Sequence, residues 1–188
     1  GSYYSSDYVI DVLNAYAALQ RTDFANPDKI GLWGHSMAGN VIFRSLAVRP
    51  TIPAAVIWAG AGYTYSDLQQ YRISDTSYLP APSDSPRSRQ RQQIRQTYGD
   101  FDPNQWFWKL VTPANYLADL RTAIQIHHAI DDNVVSIEYA RNLMRLLDAT
   151  SIVHDLQEYF SGGHNLTGTT FTQAMQSSVD FFKSQLDR

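Results

Sequence analysis

The chain has 188 residues, of which 44% are hydrophobic and 18% charged, with a net charge of −3 and no cysteine. This length fits a single domain, and the apolar fraction suffices for a packed core. The weak negative charge argues against a nucleic-acid partner. The absence of thiols excludes disulfides, thiolate metal sites and a cysteine nucleophile. No apolar run approaches the ~18 residues that span a membrane, so no membrane partner is expected.

Buried strands and amphipathic helices alternate through most of the sequence, which indicates an α/β fold with a parallel sheet and helices on both faces. Apolar spacing predicts helices at 8–20, 37–48 and 137–148, and strands at 30–33, 54–60, 123–129 and 155–160. A last helix should begin near Thr170, with a capping box of Thr170 and Gln173. Its predicted buried stripe consists of Phe171, Met175, Val179 and Phe182.

Residues 61–120 interrupt this pattern and contain no long β-branched run. They offer a capping box at Ser66 and Gln69, a polar helix at about 88–98 and an aromatic run at 106–108. We interpret them as a helical cap inserted into a core made of residues 1–60 and 121–188. Candidate substrate contacts are Tyr63, Trp106 and Trp108, although packing inside the cap would explain the tryptophans as well.

The segment 34–39, Gly-His-Ser-Met-Ala-Gly, lies between the first strand and the next helix, where a nucleophile elbow occurs. Such a turn is so tight that the residues two before and two after Ser36 must be small, as Gly34 and Ala38 are. The usual pattern ends in glycine, so Ala38 is a mild departure. Ser36 would project above the sheet, and the helix N-terminus would direct amides at an oxyanion. His35 is expected to pack or hydrogen-bond beside it.

A serine nucleophile needs a general base and the base an orienting carboxylate, in the chain order Ser, Asp or Glu, His. Asp131 follows the third strand, and His164 lies in a glycine-rich loop after the fourth. Both should therefore share the sheet edge at which Ser36 lies. We favour Asp131 as the acid, with Asp132 as its rival. The alternative for Asp132 is to bond turn amides or to cap the next helix.

The strand histidines give no support for a metal site. His127 and His128 are adjacent in a strand, so their side chains point to opposite faces and cannot bind one ion together. No metal and no cofactor is predicted.

These motifs resemble the carboxyl-terminal part of α/β-hydrolases of the prolyl-oligopeptidase-like and esterase type. The segments that carry the resemblance are 26–39, 126–135 and 162–164. It covers nearly the whole chain and is weakest across the cap. The family usually has His-Gly where this chain has residues 127–128, and its acid falls on the first Asp of the pair. The resemblance implies a nucleophile, acid, base and oxyanion amide at Ser36, Asp131, His164 and Met37, respectively.

The resemblance also implies that strands are missing. Such hydrolases have an eight-stranded sheet with the nucleophile after the fifth strand, whereas about four strands can be identified here. The first four, and the loop that supplies the second oxyanion donor, would precede residue 1. The strand at 30–33 would then have an unpaired apolar edge. We expect a separate amino-terminal partner chain or a second copy of this chain to cover that edge.

The sequence thus predicts a serine hydrolase that cleaves small-molecule carboxylic esters through an acyl-enzyme. One alternative is a serine peptidase acting on short peptides. Another is a catalytically silent fragment that needs the missing amino-terminal half. One oxyanion donor is worth roughly 2.7–4 kcal/mol of transition-state stabilisation, so an incomplete hole would slow the reaction about 100- to 1000-fold.

Overall fold

A computed structural model describes residues 6–71, 73–74 and 82–187. Its sheet contains four parallel strands in sequence order: β1 Leu32–His35, β2 Ala54–Trp58, β3 Ala123–Ala129 and β4 His154–Tyr159. Every residue of β2 and β3 is buried, as expected of strands that are covered on both faces. The predicted α/β fold with a parallel sheet is confirmed.

Among the described residues, one helix precedes the first strand, and the others connect the strands or follow the last one. They are α1 Asp7–Leu19, α2 Ala38–Val48, α3 Tyr65–Gln70, α4 Pro86–Tyr98, α5 Trp106–Val111, a 3₁₀ helix Pro113–Asp119, α6 Glu138–Leu147 and α7 Thr169–Leu186. Within the described residues, no helix has both the length and the apolar character needed to cross a membrane.

Two apolar clusters hold helices to the opposite faces of the sheet. On one face, α2 and α6 pack onto the strands through buried residues such as Phe43, Ile57 and Leu143. On the other face, α7 packs through Ala174 and Phe181. Because all four strands run in the same direction, the loops after β1, β3 and β4 meet at one edge.

Helix α7 buries a different face from the one predicted. Its buried residues are Thr170, Ala174, Ser178 and Phe181. Three residues of the predicted stripe stay partly exposed: Phe171 at 47%, Met175 at 37% and Val179 at 39%. The small side chains of Ala174 and Ser178 let the helix lie close to the sheet, where the Ser178 hydroxyl accepts a hydrogen bond from Trp58 Nε1 at 3.0 Å.

Neither predicted capping box forms. Thr64 caps α3, with its Oγ1 accepting from the Asp67 amide at 3.0 Å. Thr64 has the extended backbone that an N-cap requires, and the predicted cap Ser66 already lies inside the helix. Helix α7 starts after Gly168, and the Thr170 hydroxyl donates instead to the carbonyl of Ser161 at 2.8 Å.

The described part of residues 61–120 is mainly helical and comprises α3, α4, α5 and the 3₁₀ helix. An isolated antiparallel bridge joins Ile73 to Val135, and the Ser74 amide donates to the Val134 carbonyl at 2.7 Å. These contacts attach the insertion to the loop after β3. Its separation from the core as a cap stays an interpretation.

A buried histidine lies on the face of the sheet that α7 covers. The His127 side chain has no exposed surface, and its Nε2 lies 2.8 Å from Gln125 Oε1. Because that oxygen can only accept, Nε2 carries the hydrogen and Nδ1 accepts from the Tyr159 hydroxyl at 2.8 Å. Burial lowers the pKa of His127 to about 4, so the ring is neutral at pH 7.

We expect His127 to make the fold sensitive to acid. The unfolded chain takes up a proton near pH 6.5, whereas the folded chain takes it up only near pH 4. The neutral His127 ring therefore makes its full contribution to the free energy of unfolding above pH 6.5. This contribution falls by about 3 kcal/mol as the pH drops to 4. Urea unfolding at a series of pH values should show this loss, and His127→Gln should remove it.

The matched control for this experiment is His154→Gln. The carbonyl of Ile152, together with Asp148, raises the pKa of His154, so its contribution has the opposite sign. That contribution is present at low pH and is lost as the pH rises through the folded-state pKa. An unchanged acid slope in His127→Gln would contradict the assignment.

Candidate active site

Ser36 occupies a strained turn between β1 and α2. Its φ is +59°, in the left-handed region, and its amide donates to the Trp58 carbonyl at 2.9 Å. Gly34 permits the turn, because a Cβ there would lie 2.7 Å from Ala38 Cβ and 2.8 Å from Ile42 Cδ1. This close approach is the geometry that a nucleophile elbow requires.

His164 links Ser36 to a carboxylate. Its Nε2 lies 2.9 Å from Ser36 Oγ, and its Nδ1 lies 2.9 Å from Asp132 Oδ2. With the hydrogen on Nδ1, the ring donates to the carboxylate and accepts from the serine hydroxyl. This arrangement allows Nε2 to take the hydroxyl proton when Ser36 attacks a carbonyl carbon.

Asp132 is held by donors on both of its oxygens. Oδ1 accepts the amides of Val134 and Val135, each at 2.9 Å, and Oδ2 accepts from His164. His128 shares its Nε2–H between Oδ2, at 3.1 Å, and the Val135 carbonyl, at 3.0 Å. Burial alone would raise the pKa of Asp132, but these donors outweigh it and hold the pKa well below its usual range.

The structure places Asp132, and not the predicted Asp131, against the His164 ring. Asp131 is exposed, and its carboxylate accepts the amides of Gly162 at 3.3 Å and Gly163 at 2.8 Å. The turn after β3, in which the Asp132 amide donates to the Ala129 carbonyl, brings the second aspartate inward. Asp132 also bonds turn amides, which was the alternative considered for it.

Two further histidines lie around the triad. His35 donates from Nε2 to the His164 carbonyl at 2.8 Å, in line with the predicted hydrogen-bonding role. Burial lowers its pKa, as does the neighbouring His164, and the bond to the carbonyl partly opposes this. The contact of His128 with Asp132 was not predicted. In the sequence, the only feature that points to it is the separation of four residues between His128 and Asp132.

Met37 follows the nucleophile and is the N-cap residue of α2. Amides at the start of a helix lack intrahelical acceptors. The Met37 amide is thus placed where an oxyanion donor is needed, next to Ser36, although its use in catalysis stays a prediction.

The three predicted substrate contacts lie in different surroundings. Tyr63 has no exposed surface and packs edge-on against Phe43 in the core, so its side chain is not accessible to a substrate. A side chain in a strand-end loop can turn inward, which the sequence does not reveal. Trp106 is 63% exposed and packs against Tyr98.

Trp108 is buried in an aromatic cluster with Tyr65 and Phe101. It lines a cavity of about 320 Å³ together with Asp67 and Asn142, but Ser36, Asp132 and His164 do not line that cavity. A substrate role for either tryptophan stays a prediction. Among the residues that the structure describes, no group of three or more histidine, aspartate or glutamate side chains could hold a metal ion.

Comparison with known proteins agrees with this geometry. The model of the prolyl oligopeptidase family matches residues 4–188. The chain belongs to the prolyl oligopeptidase family. It matches none of the curated proteins.

Several solved structures share the fold of this family member. A puromycin-hydrolyzing peptidase from Mycobacterium tuberculosis superposes with a TM-score of 0.72 at 15% identity, covering 95% of this chain and 25% of that one. The Pyrococcus horikoshii acylaminoacyl peptidase gives a TM-score of 0.69 at 15% identity, covering 96% and 28%. A truncated carbohydrate esterase from gut microbiota gives 0.68 at 20% identity, covering 96% and 68%. The chain therefore spans about a quarter of the length of these peptidases.

Proposed function

We propose that the chain is the catalytic part of a serine hydrolase that cleaves carboxylic esters. The observation that carries this proposal is the continuous hydrogen-bonded path from Ser36 Oγ through the His164 ring to Asp132. In a serine hydrolase, each of these three groups has a defined task. Membership of the prolyl oligopeptidase family supports the same chemistry.

The proposed reaction has two halves. Ser36 Oγ attacks the ester carbonyl carbon while His164 Nε2 takes its proton, and the Met37 amide donates to the oxyanion. The C–O bond to the alcohol then breaks, and Nε2 returns the proton to the leaving alkoxide. Water then attacks the acyl carbon while the same nitrogen takes its proton. The bond to Ser36 Oγ breaks, Nε2 returns the proton to Oγ, and the carboxylic acid leaves. Asp132 stabilises the imidazolium that forms in both halves.

Family membership favours a second candidate, a peptidase acting on short peptides. An ester and an anilide with the same acyl group separate the two, since the acyl-enzyme is then identical and only the leaving group differs. We expect turnover of the nitrophenyl ester and little turnover of the matched nitroanilide. An equal or higher kcat/KM for the anilide would favour the peptidase. An absence of acyl adduct with both substrates would favour a silent chain.

We also propose that a separate amino-terminal partner chain or a second copy of this chain covers the outer edge of β1. Within the described sheet, β1 pairs with β2 alone. Its backbone therefore has unpaired groups on one side, and Trp33 beside them is 50% exposed. Such an edge is a template for pairing with another chain.

In the isolated chain this edge should cause self-association. Light scattering is expected to give a mass above the 21.3 kDa of one chain. Trp33→Lys should shift the population toward monomer, because a lysine on an edge strand opposes pairing. Val48→Lys is the control, since Val48 is 67% exposed at the end of α2. A strictly monomeric wild-type chain would contradict the edge proposal.

A further inference from the structure

We propose that Asp131 is a positioning residue that fixes the glycine loop before His164 and so holds the general base against Ser36. The inference rests on the proposed function and adds a residue to its machinery. Asp131 Oδ1 accepts the Gly163 amide at 2.8 Å, and Oδ2 accepts the Gly162 amide at 3.3 Å. The two oxygens thus bind the two residues that immediately precede the base.

The loop needs such a restraint. Gly162 has a φ of +137° and Gly163 a φ of +59°, so both depend on glycine's freedom. Two consecutive glycines lose more backbone entropy on ordering than other residues do, and they contribute no side chains to packing. An external acceptor for their amides offsets part of this cost, and a carboxylate is the strongest acceptor that a side chain offers.

The carbonyl groups of the two glycines are bound from the other side of the base. The Thr167 amide donates to the Gly162 carbonyl at 2.9 Å, and the Leu166 amide donates to the Gly163 carbonyl at 3.2 Å. Both donors follow His164 in the chain. Asp131 therefore supplies the restraint that the loop's own turn does not, since it binds the amides.

His35 binds the same loop at its next peptide group. Its Nε2 donates to the His164 carbonyl at 2.8 Å. The loop that carries His164 is thus bound by His35, which is adjacent to Ser36, and by Asp131, which is adjacent to Asp132. Asp131 sets where the backbone of His164 lies, and Asp132 sets how its ring is turned.

The first test measures the loop and the ring without any substrate. The variants are Asp131→Ala, Asp131→Asn and, as control, Asp102→Ala, which removes an exposed carboxylate that accepts the Asn104 amide at 2.8 Å in the cap. By NMR, the Gly162 and Gly163 amides should exchange about tenfold faster in Asp131→Ala. The His164 Nδ1 proton signal should also weaken or shift. Asp131→Asn keeps one acceptor oxygen and should lie between wild type and alanine, and Asp102→Ala should match wild type.

The second test measures the consequence for the nucleophile. Labelling of Ser36 by a fluorophosphonate should slow about 10- to 100-fold in Asp131→Ala, because a base displaced by about 1 Å can cost 100-fold. The loss should appear in the maximal labelling rate, with the apparent affinity for the reagent unchanged.

The inference and the proposed function can fail separately. Wild-type amide exchange and an unchanged Nδ1 signal in Asp131→Ala would overturn the inference, whatever the labelling shows. A wild-type chain that is never labelled would count against the proposed function, while the two NMR readouts would still decide the role of Asp131.

Discussion

Replacement of Ser36 by alanine is expected to lower kcat/KM for the ester by about 10⁶-fold, or to the uncatalysed background. The reason is that Oγ is the atom to which the acyl group would be transferred, and it is the hydroxyl that contacts His164 Nε2. The measurement is the initial rate with the nitrophenyl ester, together with the intact mass after fluorophosphonate treatment. The adduct seen on wild type should be missing.

Ser45→Ala is the matched control for this variant. Ser45 lies in α2, close to the nucleophile in the chain, but its buried hydroxyl donates to the Val41 carbonyl at 2.8 Å. Its loss should leave the adduct in place. If Ser36→Ala is still labelled at the wild-type rate, the adduct forms on another residue and the proposed nucleophile is wrong.

Asp132→Asn is expected to reduce kcat/KM by about 10⁴-fold, the size of loss found when the orienting carboxylate of a serine triad becomes an amide. The asparagine can present Nδ2–H to His164, which would place the ring hydrogen on Nε2 and leave no acceptor for the Ser36 proton. Chain folding should persist, because the substitution conserves shape. The rate with the nitrophenyl ester at pH 7 measures the effect.

Asp131→Asn serves as the comparison, since it makes the same chemical change one residue earlier. We expect its loss to be far smaller, because Asp131 contacts the loop backbone and not the ring. A greater loss in Asp131→Asn than in Asp132→Asn would return the acid to Asp131 and contradict the geometry described here.

The strands of the sheet could be predicted because each is marked by a short apolar run in the sequence. β3 coincides with the predicted strand at 123–129, and the other strands lie within two residues of their predicted ends. The buried face of α7 could not be predicted in this way. Its apolar residues Phe171, Met175 and Val179 show helical spacing, but the space beside the sheet admits the smaller Ala174 and Ser178 instead. The face of α7 that is buried was thus determined by packing against the sheet and not by the spacing of its apolar residues.

The part of the candidate site that follows from the strand order could be predicted from the sequence. Ser36 and His164 follow strands that end at one sheet edge, and their side chains meet there. The choice between Asp131 and Asp132 depends on the conformation of the turn after β3. In that turn Asp131 is exposed and Asp132 is buried, although the two are adjacent in the sequence.

The four donors around Asp132 leave its carboxylate no freedom to rotate. In the proposed reaction, a fixed negative charge already faces Nδ1 when the His164 ring gains its second proton, so the carboxylate does not have to reorient. The reorganisation energy of that proton transfer is therefore small. The dipoles that stabilise the imidazolium were oriented when the chain folded, before any substrate arrived.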